Sequence, residues 1–392
     1  MIPLKTTQRV LMWLCIVSFD NKFSMKAKIR SIALSFAVGG MIFAQLVASA
    51  TFFLKFHSTD LESSLYAVYQ IFAWMPILYI FAIALLSRRK ITAVLAEMTN
   101  IYDTITNAEA FQFIKLANDK SEWLWKLYFK YAMGYNAVGA AVVGSVLSTV
   151  MCLIFRKRFQ RDILYLQFKL ILPWNQYTPL GYVGETIFSV LTCEAYLIVN
   201  GAIMFLFISL AVHHEAFYKI FRLSVRKMGQ SQKECRDKEN LRNLIIFHNM
   251  AKSWFFESAA VYSLLVMILL ICAMLALSCL LFQIDMEFKH PDLSLPFLVL
   301  AAVVNISNLF VYCYFGKLAS VSYEKMAHCL YESNWQRLST HLQKYIVLMM
   351  GNMHRPLFYH GFDVFILNLS TFSKLLKTII TYYMMLKTVT SN

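Results

Sequence analysis

The sequence has few charged residues, few glycines and few prolines for its length. Charged residues make up 15% of its 392 positions, where a soluble domain carries about 25%, so an ordinary water-soluble globular protein is excluded. Only 12 glycines and 7 prolines are present, which excludes a loop-rich fold and favours long unbroken helices. The chain is instead rich in apolar residues, 59% in total, with 32 phenylalanines and 21 tyrosines. This composition is typical of a protein that spans a membrane several times.

The sequence also lacks the patterns by which metal sites, disulfide frameworks and catalytic centres are identified. None of its eight cysteines has metal-ligand spacing to another cysteine or to a histidine, and the adjacent His213 and His214 have no matching ligands. The acids in apolar stretches are scattered, and no motif pairs a nucleophile with a base. The net charge of +15 is spread over four connections rather than forming a nucleic-acid module. We therefore expect no cofactor, no metal, no enzymatic activity and no nucleic-acid partner.

Seven stretches are apolar and long enough to cross a bilayer, which takes about 20 residues. They are 31–54, 65–86, 131–155, 183–211, 255–282, 296–315 and 362–386. Of the 37 Lys and Arg residues, 27 lie in the connections on one side, eight on the other and two inside the last stretch. Since positive charge stays in the cytosol, we predict an all-α membrane protein of seven helices, with a cytosolic amino terminus and an extracellular carboxyl terminus. One basic cluster on the predicted outer side has no explanation in this scheme: Arg156, Lys157, Arg158 and Arg161.

Three cytosolic segments carry apolar residues at helical intervals, namely 217–228, 241–256 and 318–352. Amphipathic helices need a surface to pack on. The fourth and fifth spans are the longest, so we expect them to continue beyond the lipid and form a cytosolic helical bundle that serves as an anchor between subunits. The predicted organisation is an amino-terminal cytosolic segment with six spans over 1–315, a cytosolic helical anchor region over 316–361 and a last membrane helix over 362–392.

The last span has one wettable face. Residues three, four and seven apart share a face of a helix, which places Lys377, Thr381 and Thr388 in one stripe with Met385 and Val389 beside it. Polar groups within a membrane face protein or water. The stripe therefore predicts the wall of an aqueous pathway, and one such helix per chain requires several chains around an axis.

The carboxyl-terminal part of the chain resembles the signature of insect odorant receptors. The matching segments are Cys-Leu-Tyr-Glu-Ser-Asn-Trp at 329–335, Arg-Pro-Leu at 355–357, Phe-Ile-Leu-Asn-Leu-Ser-Thr-Phe at 365–372, Lys377, and Thr-Tyr-Tyr-Met-Met-Leu at 381–386. The resemblance implies an odorant-gated, non-selective cation channel. It further implies a tuning subunit that assembles with the odorant receptor co-receptor, as a heterotetramer in the plasma membrane of olfactory sensory neuron dendrites.

The same resemblance implies roles for the residues of the last span. In the family this helix lines the pore and its outer end closes the gate, which corresponds here to Met385 and Val389. Lys377 is expected to point into a wide inner vestibule or to pair with an acid of a neighbouring helix, because a ring of ammonium groups at a constriction would repel cations.

Two related classes of receptor are weighed against this interpretation. Insect gustatory receptors end in Thr-Tyr, five hydrophobic residues and Gln-Phe. Here Lys387 interrupts the hydrophobic five, and Thr388 and Val389 replace Gln-Phe. A gustatory-type cation channel remains the main alternative. A seven-helix G-protein-coupled receptor is the lesser one, because it would need an extracellular amino terminus. The co-receptor itself has a much larger connection than 212–254 between its fourth and fifth spans, so this chain resembles a tuning subunit.

The odorant site is expected among the second, third, fourth and sixth spans, in their outer halves. Bundles of helices commonly hold apolar ligands between them. Aromatic rings and thioethers offer contact area there, and serines offer a hydrogen bond to an alcohol or carbonyl. The candidate contacts are Tyr69, Phe72, Met75, Ser145, Ser148, Met151, Phe188, Leu191 and Phe297.

Overall fold

A computed structural model of the chain shows a nearly all-helical protein. It describes residues 5–17, 24–57, 61–105, 107–130, 170–175, 178–230, 234–289, 295–362 and 364–391. Within these ranges the helices are α1 (Lys5–Trp13), α2 (Met25–Phe56), α3 (Leu61–Leu86), α4 (Arg88–Asp103), α5 (Ala108–Tyr128), α6 (Pro179–Arg226), α7 (Glu234–Lys289), α8 (Leu295–Tyr331), α9 (Thr340–Met353) and α10 (Leu369–Ser391). A short 3-10 helix covers Trp335–Arg337, and the strands β1 (His360–Gly361) and β2 (Phe365–Ile366) form an antiparallel hairpin.

Five of the described helices are long and apolar enough to cross a membrane, and they are α2, α3, α6, α7 and α8. Each contains one of the predicted spans. The predicted third span, 131–155, and the basic cluster at 156–161 lie outside the described residues. The last predicted span corresponds to α10, which carries Lys374, Lys377 and Lys387 and for that reason is not an ordinary lipid-facing helix. The expected all-α membrane fold is confirmed.

The fourth and fifth spans continue far beyond the lipid, as their length predicts. Helix α6 has 48 residues and α7 has 56, which at 1.5 Å per residue gives about 72 and 84 Å. The hydrocarbon core is only about 30 Å thick, so more than half of each helix lies outside it. The extension of α7 is fastened to α4, where the Trp254 indole donates to the Val94 carbonyl over 2.8 Å. The extended helices thus form a bundle outside the hydrocarbon core.

The segment 318–352 is not one helix but two. Helix α8 ends at Tyr331, where the backbone turns as the Glu332 amide bonds to the His328 carbonyl over 3.0 Å. The Gln343 side chain donates to the carbonyl groups of Gln336 and Leu338, both over 2.9 Å, and fixes the turn before α9. Helix α9 then packs back on α8 through its buried face, which consists of Leu342, Ile346, Met349 and Met353. Helical spacing alone did not show this break, because the apolar pattern continues across the turn.

Candidate functional site

The last helix begins later than the sequence predicts. The apolar stretch from residue 362 was expected to be helical throughout, yet β1 and β2 occupy its start and α10 begins at Leu369. Phe362 sits at the turn of the hairpin with a φ of 48°, which is incompatible with a right-handed helix. The Asn368 side chain accepts a hydrogen bond from the Thr371 amide over 2.7 Å and caps the new helix. The prediction of a helix from 362 is therefore wrong by about two turns.

Helix α10 has two distinct faces. Leu375 and Ile379 are buried against the bundle. The predicted pore residues all lie on the exposed part of the helix, where Met385 and Val389 have 62% and 66% of their surface accessible; the set is Lys377, Thr381, Met385, Thr388 and Val389. In a single chain no described residue packs over this face, which is partly apolar and partly polar.

The threonine hydroxyl groups on α10 donate hydrogen bonds to backbone carbonyl groups of the preceding turn. Thr381 donates to the Lys377 carbonyl over 2.9 Å, and Thr388 donates to the Met385 carbonyl over 2.8 Å. A hydroxyl group has one hydrogen and two acceptor lone pairs. With the hydrogen engaged, each exposed hydroxyl group keeps only acceptor capacity toward whatever faces it. Such oxygens suit a cation better than an anion.

The carboxyl-terminal end of α10 is tied to α7. The Lys387 ammonium group lies 3.1 Å from Asp285 Oδ1 and 3.0 Å from its Oδ2, and it also donates to the Tyr383 hydroxyl over 3.3 Å. About two turns earlier along each helix, Ser278 Oγ lies 3.3 Å from the Ile379 carbonyl. Lys387, which departs from the gustatory pattern, therefore points into the bundle rather than along the wettable stripe.

Lys377 has a different environment. Its side chain is exposed, and among the residues that the structure describes no acid lies within ion-pair distance of it. The alternative of an acid on a neighbouring helix of the same chain is therefore not met in the described part. Its position in a wide vestibule stays a prediction.

A buried junction lies immediately before the hairpin that leads into α10. The hydroxyl group of Tyr359, which is 1% exposed, lies 2.7 Å from Ser258 Oγ and 3.0 Å from His214 Nε2. Because Ser258 donates its own hydrogen to the Phe255 carbonyl, Tyr359 donates to Ser258, and His214 Nε2 in turn donates to Tyr359. The Tyr323 hydroxyl is 3.4 Å from His214 Nδ1. This Tyr359 junction, made of Tyr359, Ser258, His214 and Tyr323, joins α6, α7 and α8 to the segment before α10.

Two glycines let the hairpin approach the helices closely. A Cβ atom on Gly361 would lie 3.2 Å from Met267 Cα on α7. A Cβ atom on Gly316 of α8 would overlap Leu367 and lie 3.0 Å from its carbonyl oxygen. The Phe362 amide donates to Ser263 Oγ over 3.1 Å. The hairpin is thus clamped between α7 and α8, and its position sets where α10 starts.

The adjacent histidines point in different directions. His213 Nδ1 donates to the Ser209 carbonyl over 2.6 Å, and its Nε2 lies 3.2 Å from Asn118 Oδ1 on α5. His214 instead belongs to the Tyr359 junction. Both are buried and serve packing between helices. In the described ranges no cluster of three or more His, Cys, Asp or Glu side chains could hold a metal ion.

A small cavity lies inside the bundle between α3, α6, α7 and α8. It has room for about 30 Å³, the size of one water molecule. Phe72 and Pro76 line it from α3, and Tyr196, Asn200 and Ala273 are among the residues that line it from α6 and α7. Among the described residues it joins the second, fourth, fifth and sixth spans, so α7 takes part in addition to the predicted spans. The predicted third span lies outside the described residues.

Of the predicted ligand contacts, only Phe72 is among the described lining residues of this cavity. Tyr69 and Phe188 are half-buried, and Phe188 meets the Trp174 ring edge-on at 6.3 Å. Met75 and Leu191 are exposed, by 37% and 46%. Ser145, Ser148, Met151 and the Phe297 side chain lie outside the described residues. Their part in ligand binding stays a prediction.

The cavity contains polar residues that the sequence analysis missed. Asn200, Asn305 and Asn308 all line it, and the Asn305 amide is anchored to the Ala301 carbonyl over 2.8 Å. Amides inside apolar spans face protein or a cavity. The sequence could have indicated these cavity residues by that rule, since the three asparagines lie within the fourth and sixth predicted spans.

A family model described as 7tm Odorant receptor matches residues 60–380. The insect olfactory receptor OR5 from Machilis hrabei in complex with eugenol is similar in structure, with a TM-score of 0.77, 14% identity and 98% of each chain covered. A second structure of OR5 from Machilis hrabei is also similar, with a TM-score of 0.76 and 14% identity over 97% of this chain and 96% of that one. At this identity the likeness concerns the fold. No curated protein matches the chain.

Proposed function

The chain belongs to the 7tm odorant receptor family, and we propose that it is the tuning subunit of an odorant-gated, non-selective cation channel. The family and the membrane-spanning helices make it a multi-pass membrane protein of the receptor kind. The finer proposal is carried by one observation, the exposed face of α10 that combines Lys377, Thr381 and Thr388 with apolar Met385 and Val389.

This face supports assembly of several chains. A lysine and two threonines facing lipid would be unfavourable, whereas facing a shared aqueous axis they stay hydrated. A second exposed surface supports the same conclusion in the cytosol. On α9, Tyr345 and Leu348 are 47% and 66% exposed, and Gly351 next to them has open space around its Cα. We propose that this face packs against neighbouring subunits, including the odorant receptor co-receptor, and forms the inter-subunit anchor.

The chemistry of α10 supports cation passage through a hydrophobic gate. The hydroxyl oxygens of Thr381 and Thr388 are acceptors only, as described above, and a ring of them would favour cations. Rings of apolar Met385 and Val389 side chains at the outer end can stop ions by dewetting. Met is flexible enough to move aside when the gate opens.

The cavity and the pore helix share α7, which supports coupling between ligand and gate. Ala273 lines the cavity, Ser278 hydrogen-bonds the α10 backbone and Asp285 pairs with Lys387. A volatile ligand that widens the cavity would move α7. The ligand shifts the equilibrium between closed and open channel by the difference in its binding free energy for the two forms. That OR5 is solved with eugenol supports a small organic ligand for this fold.

The proposed setting is the plasma membrane of olfactory sensory neuron dendrites, with the amino terminus in the cytosol and the carboxyl terminus outside. The excess of Lys and Arg on one side supports that orientation. The family match favours an odorant receptor over the gustatory and G-protein-coupled alternatives.

The decisive experiment is cysteine accessibility in cells that co-express the full chain and the co-receptor. Single cysteines at Thr381, Met385 and Thr388 are compared with cysteines at the buried Leu375 and Ile379 of the same helix. We expect a water-soluble thiol reagent to reduce odorant-evoked current only in the first set. The unsubstituted chain controls for its native cysteines. Equal insensitivity of both sets, with current intact, would reject a pore along this face.

A further inference from the structure

A second, larger cleft opens on the cytosolic bundle, well away from the membrane cavity. It has a volume of about 440 Å³, within the range of sites for small molecules. Its walls come from α7, from α8, and from the end of α9 with the segment that follows it. The floor is apolar, with Met353 and Leu357 among its residues.

The ionisable residues around this cleft are mostly basic. His248 and Lys252 stand on α7, His328 on α8, and His354 and Arg355 on the segment after α9, with Glu324 as the acid among the described lining residues. Burial and the neighbouring Lys252 lower the pKa of His248 to about 4, so His248 contributes a neutral imidazole and Lys252 and Arg355 supply the fixed positive charge. Arg355 and His354 are exposed, and Lys252 is half-buried. The basic groups are spread over three walls rather than gathered at one point. Such a distribution matches an anion with several charged groups better than a single carboxylate or chloride.

The cleft starts near the inner surface of the membrane. Taking residue 255 as the predicted cytosolic end of the fifth span, Lys252 lies about 5 Å and His248 about 10 Å below it along α7. The headgroup layer is about 5–7 Å thick. The upper part of the cleft is therefore within reach of lipid headgroups, while its lower part faces the cytosol.

From this arrangement we propose that the cleft, here called the basic cleft (His248, Lys252, Glu324, His328, His354 and Arg355), binds an inositol polyphosphate group. The ligand is either the headgroup of an inner-leaflet lipid or its soluble counterpart. Several phosphates on a small ring reach separate walls at once, and Arg and Lys bind phosphate oxygens through charge-assisted hydrogen bonds. The volume is too small for a nucleic acid or a folded partner.

Occupancy of the basic cleft acts on the pore helix. The segment 354–357 that forms one wall runs directly into Tyr359, and Tyr323 lines the cleft while also belonging to the Tyr359 junction. A polyanion that bridges Arg355 to Lys252 fixes this segment against α7. It thereby fixes the hairpin from which α10 starts. This consequence rests on the proposed channel function, whereas binding itself does not.

Binding is tested on the purified full-length chain in phosphatidylcholine nanodiscs. The probes are dioctanoyl phosphatidylinositol 4,5-bisphosphate and free inositol 1,4,5-trisphosphate, with dioctanoyl phosphatidylcholine as the neutral lipid. The double variant Lys252→Gln/Arg355→Gln should weaken binding by about tenfold or more, because two charge-assisted bonds are lost. Lys344→Gln, an exposed charge on α9 that does not line the cleft, is the matched control and should leave affinity unchanged.

Glu324→Gln is a variant for which the proposal predicts stronger binding, a result that misfolding would not produce. Removing this acid should tighten polyphosphate binding by about two- to fivefold, the effect of one partly exposed charge. If only the lipid probe binds, the ligand is the headgroup of a membrane lipid. If both probes bind, the soluble inositol polyphosphate is sufficient for binding. The proposal is overturned if neither probe binds the unsubstituted chain saturably. It is also overturned if Lys344→Gln weakens binding as much as the double variant, or if Glu324→Gln fails to strengthen it.

Discussion

Asp285 and Lys387, 102 residues apart in the sequence, form an ion pair of 3.0 Å that fastens the carboxyl-terminal end of α10 to α7. The Tyr383 hydroxyl also accepts a hydrogen bond from the Lys387 ammonium group. The pair stands within one turn of Met385 and Val389, the proposed gate. In the proposed channel it would therefore restrain the part of α10 that moves on opening.

Breaking this pair should raise the current recorded without odorant. Asp285→Asn and Lys387→Gln each release the outer end of α10, and both should increase unstimulated current in cells that co-express the co-receptor. The exchanged pair Asp285→Lys/Lys387→Asp should return it toward the unsubstituted level. Lys289→Gln, at the end of the same helix α7, is the control for a nearby charge. An exchanged pair whose unstimulated current stays as high as that of Asp285→Asn or Lys387→Gln would contradict a direct ion pair.

Removal of the Tyr359 hydroxyl should destabilise the protein. Tyr359→Phe leaves His214 Nε2 and Ser258 Oγ without their shared partner in a buried site, which costs about 1–3 kcal/mol. The measurement is the thermal unfolding midpoint of the purified full chain. Tyr345→Phe removes the same group from an exposed position on α9 and should leave the midpoint unchanged. Equal midpoints for both variants would show that the junction carries no stability.

A methyl group at Gly316 should displace the hairpin before α10. Its Cβ would overlap the Leu367 side chain and crowd the Leu367 carbonyl, and such overpacking costs about 1–3 kcal/mol. We expect Gly316→Ala to lower the unfolding midpoint and the maximal odorant current. Gly40→Ala is the control, because its Cβ meets nothing within 4 Å. A Gly316→Ala channel with normal midpoint and current would show that the hairpin accommodates the change freely.

Bulk added to the membrane cavity should reduce odorant responses. Ala273→Leu projects into a space of about 30 Å³, and larger agonists should lose more potency than smaller ones in a dose–response panel. Ala44→Leu, exposed on α2, is the control. Ser145→Ala and Ser148→Ala test the competing position of the site near the third span. If only these serine variants change the agonist profile, the cavity between α3, α6, α7 and α8 is not the odorant site.

Neutralising Lys377 should change conductance without changing the sign of ion selectivity. Its exposed ammonium group lies about two turns from Met385 and about three from Val389, and in the predicted vestibule water would screen it. Lys377→Ala should therefore alter single-channel conductance at an unchanged reversal potential. A reversal potential that moves toward that of chloride would place Lys377 at the filter instead.

The sequence by itself determined the membrane class, the positions of most spans and the two faces of α10. These follow from local periodicity, because apolar residues repeat with the pitch of a helix wherever one side meets lipid or protein and the other meets water. The extension of α6 and α7 beyond the lipid followed from their length in the same way.

Tertiary structure alone decided where α10 begins, which residues form the cavity and what the adjacent histidines do. The apolar pattern of 362–368 suits a helix as well as a hairpin, and contacts with Ser263, Met267 and Gly316 select the hairpin. Likewise His214, Ser258 and Tyr359 carry no common motif, since they are brought together only when α6, α7 and the segment before α10 pack. Periodicity records which side of an element is buried, whereas the partner on that side is chosen by long-range packing.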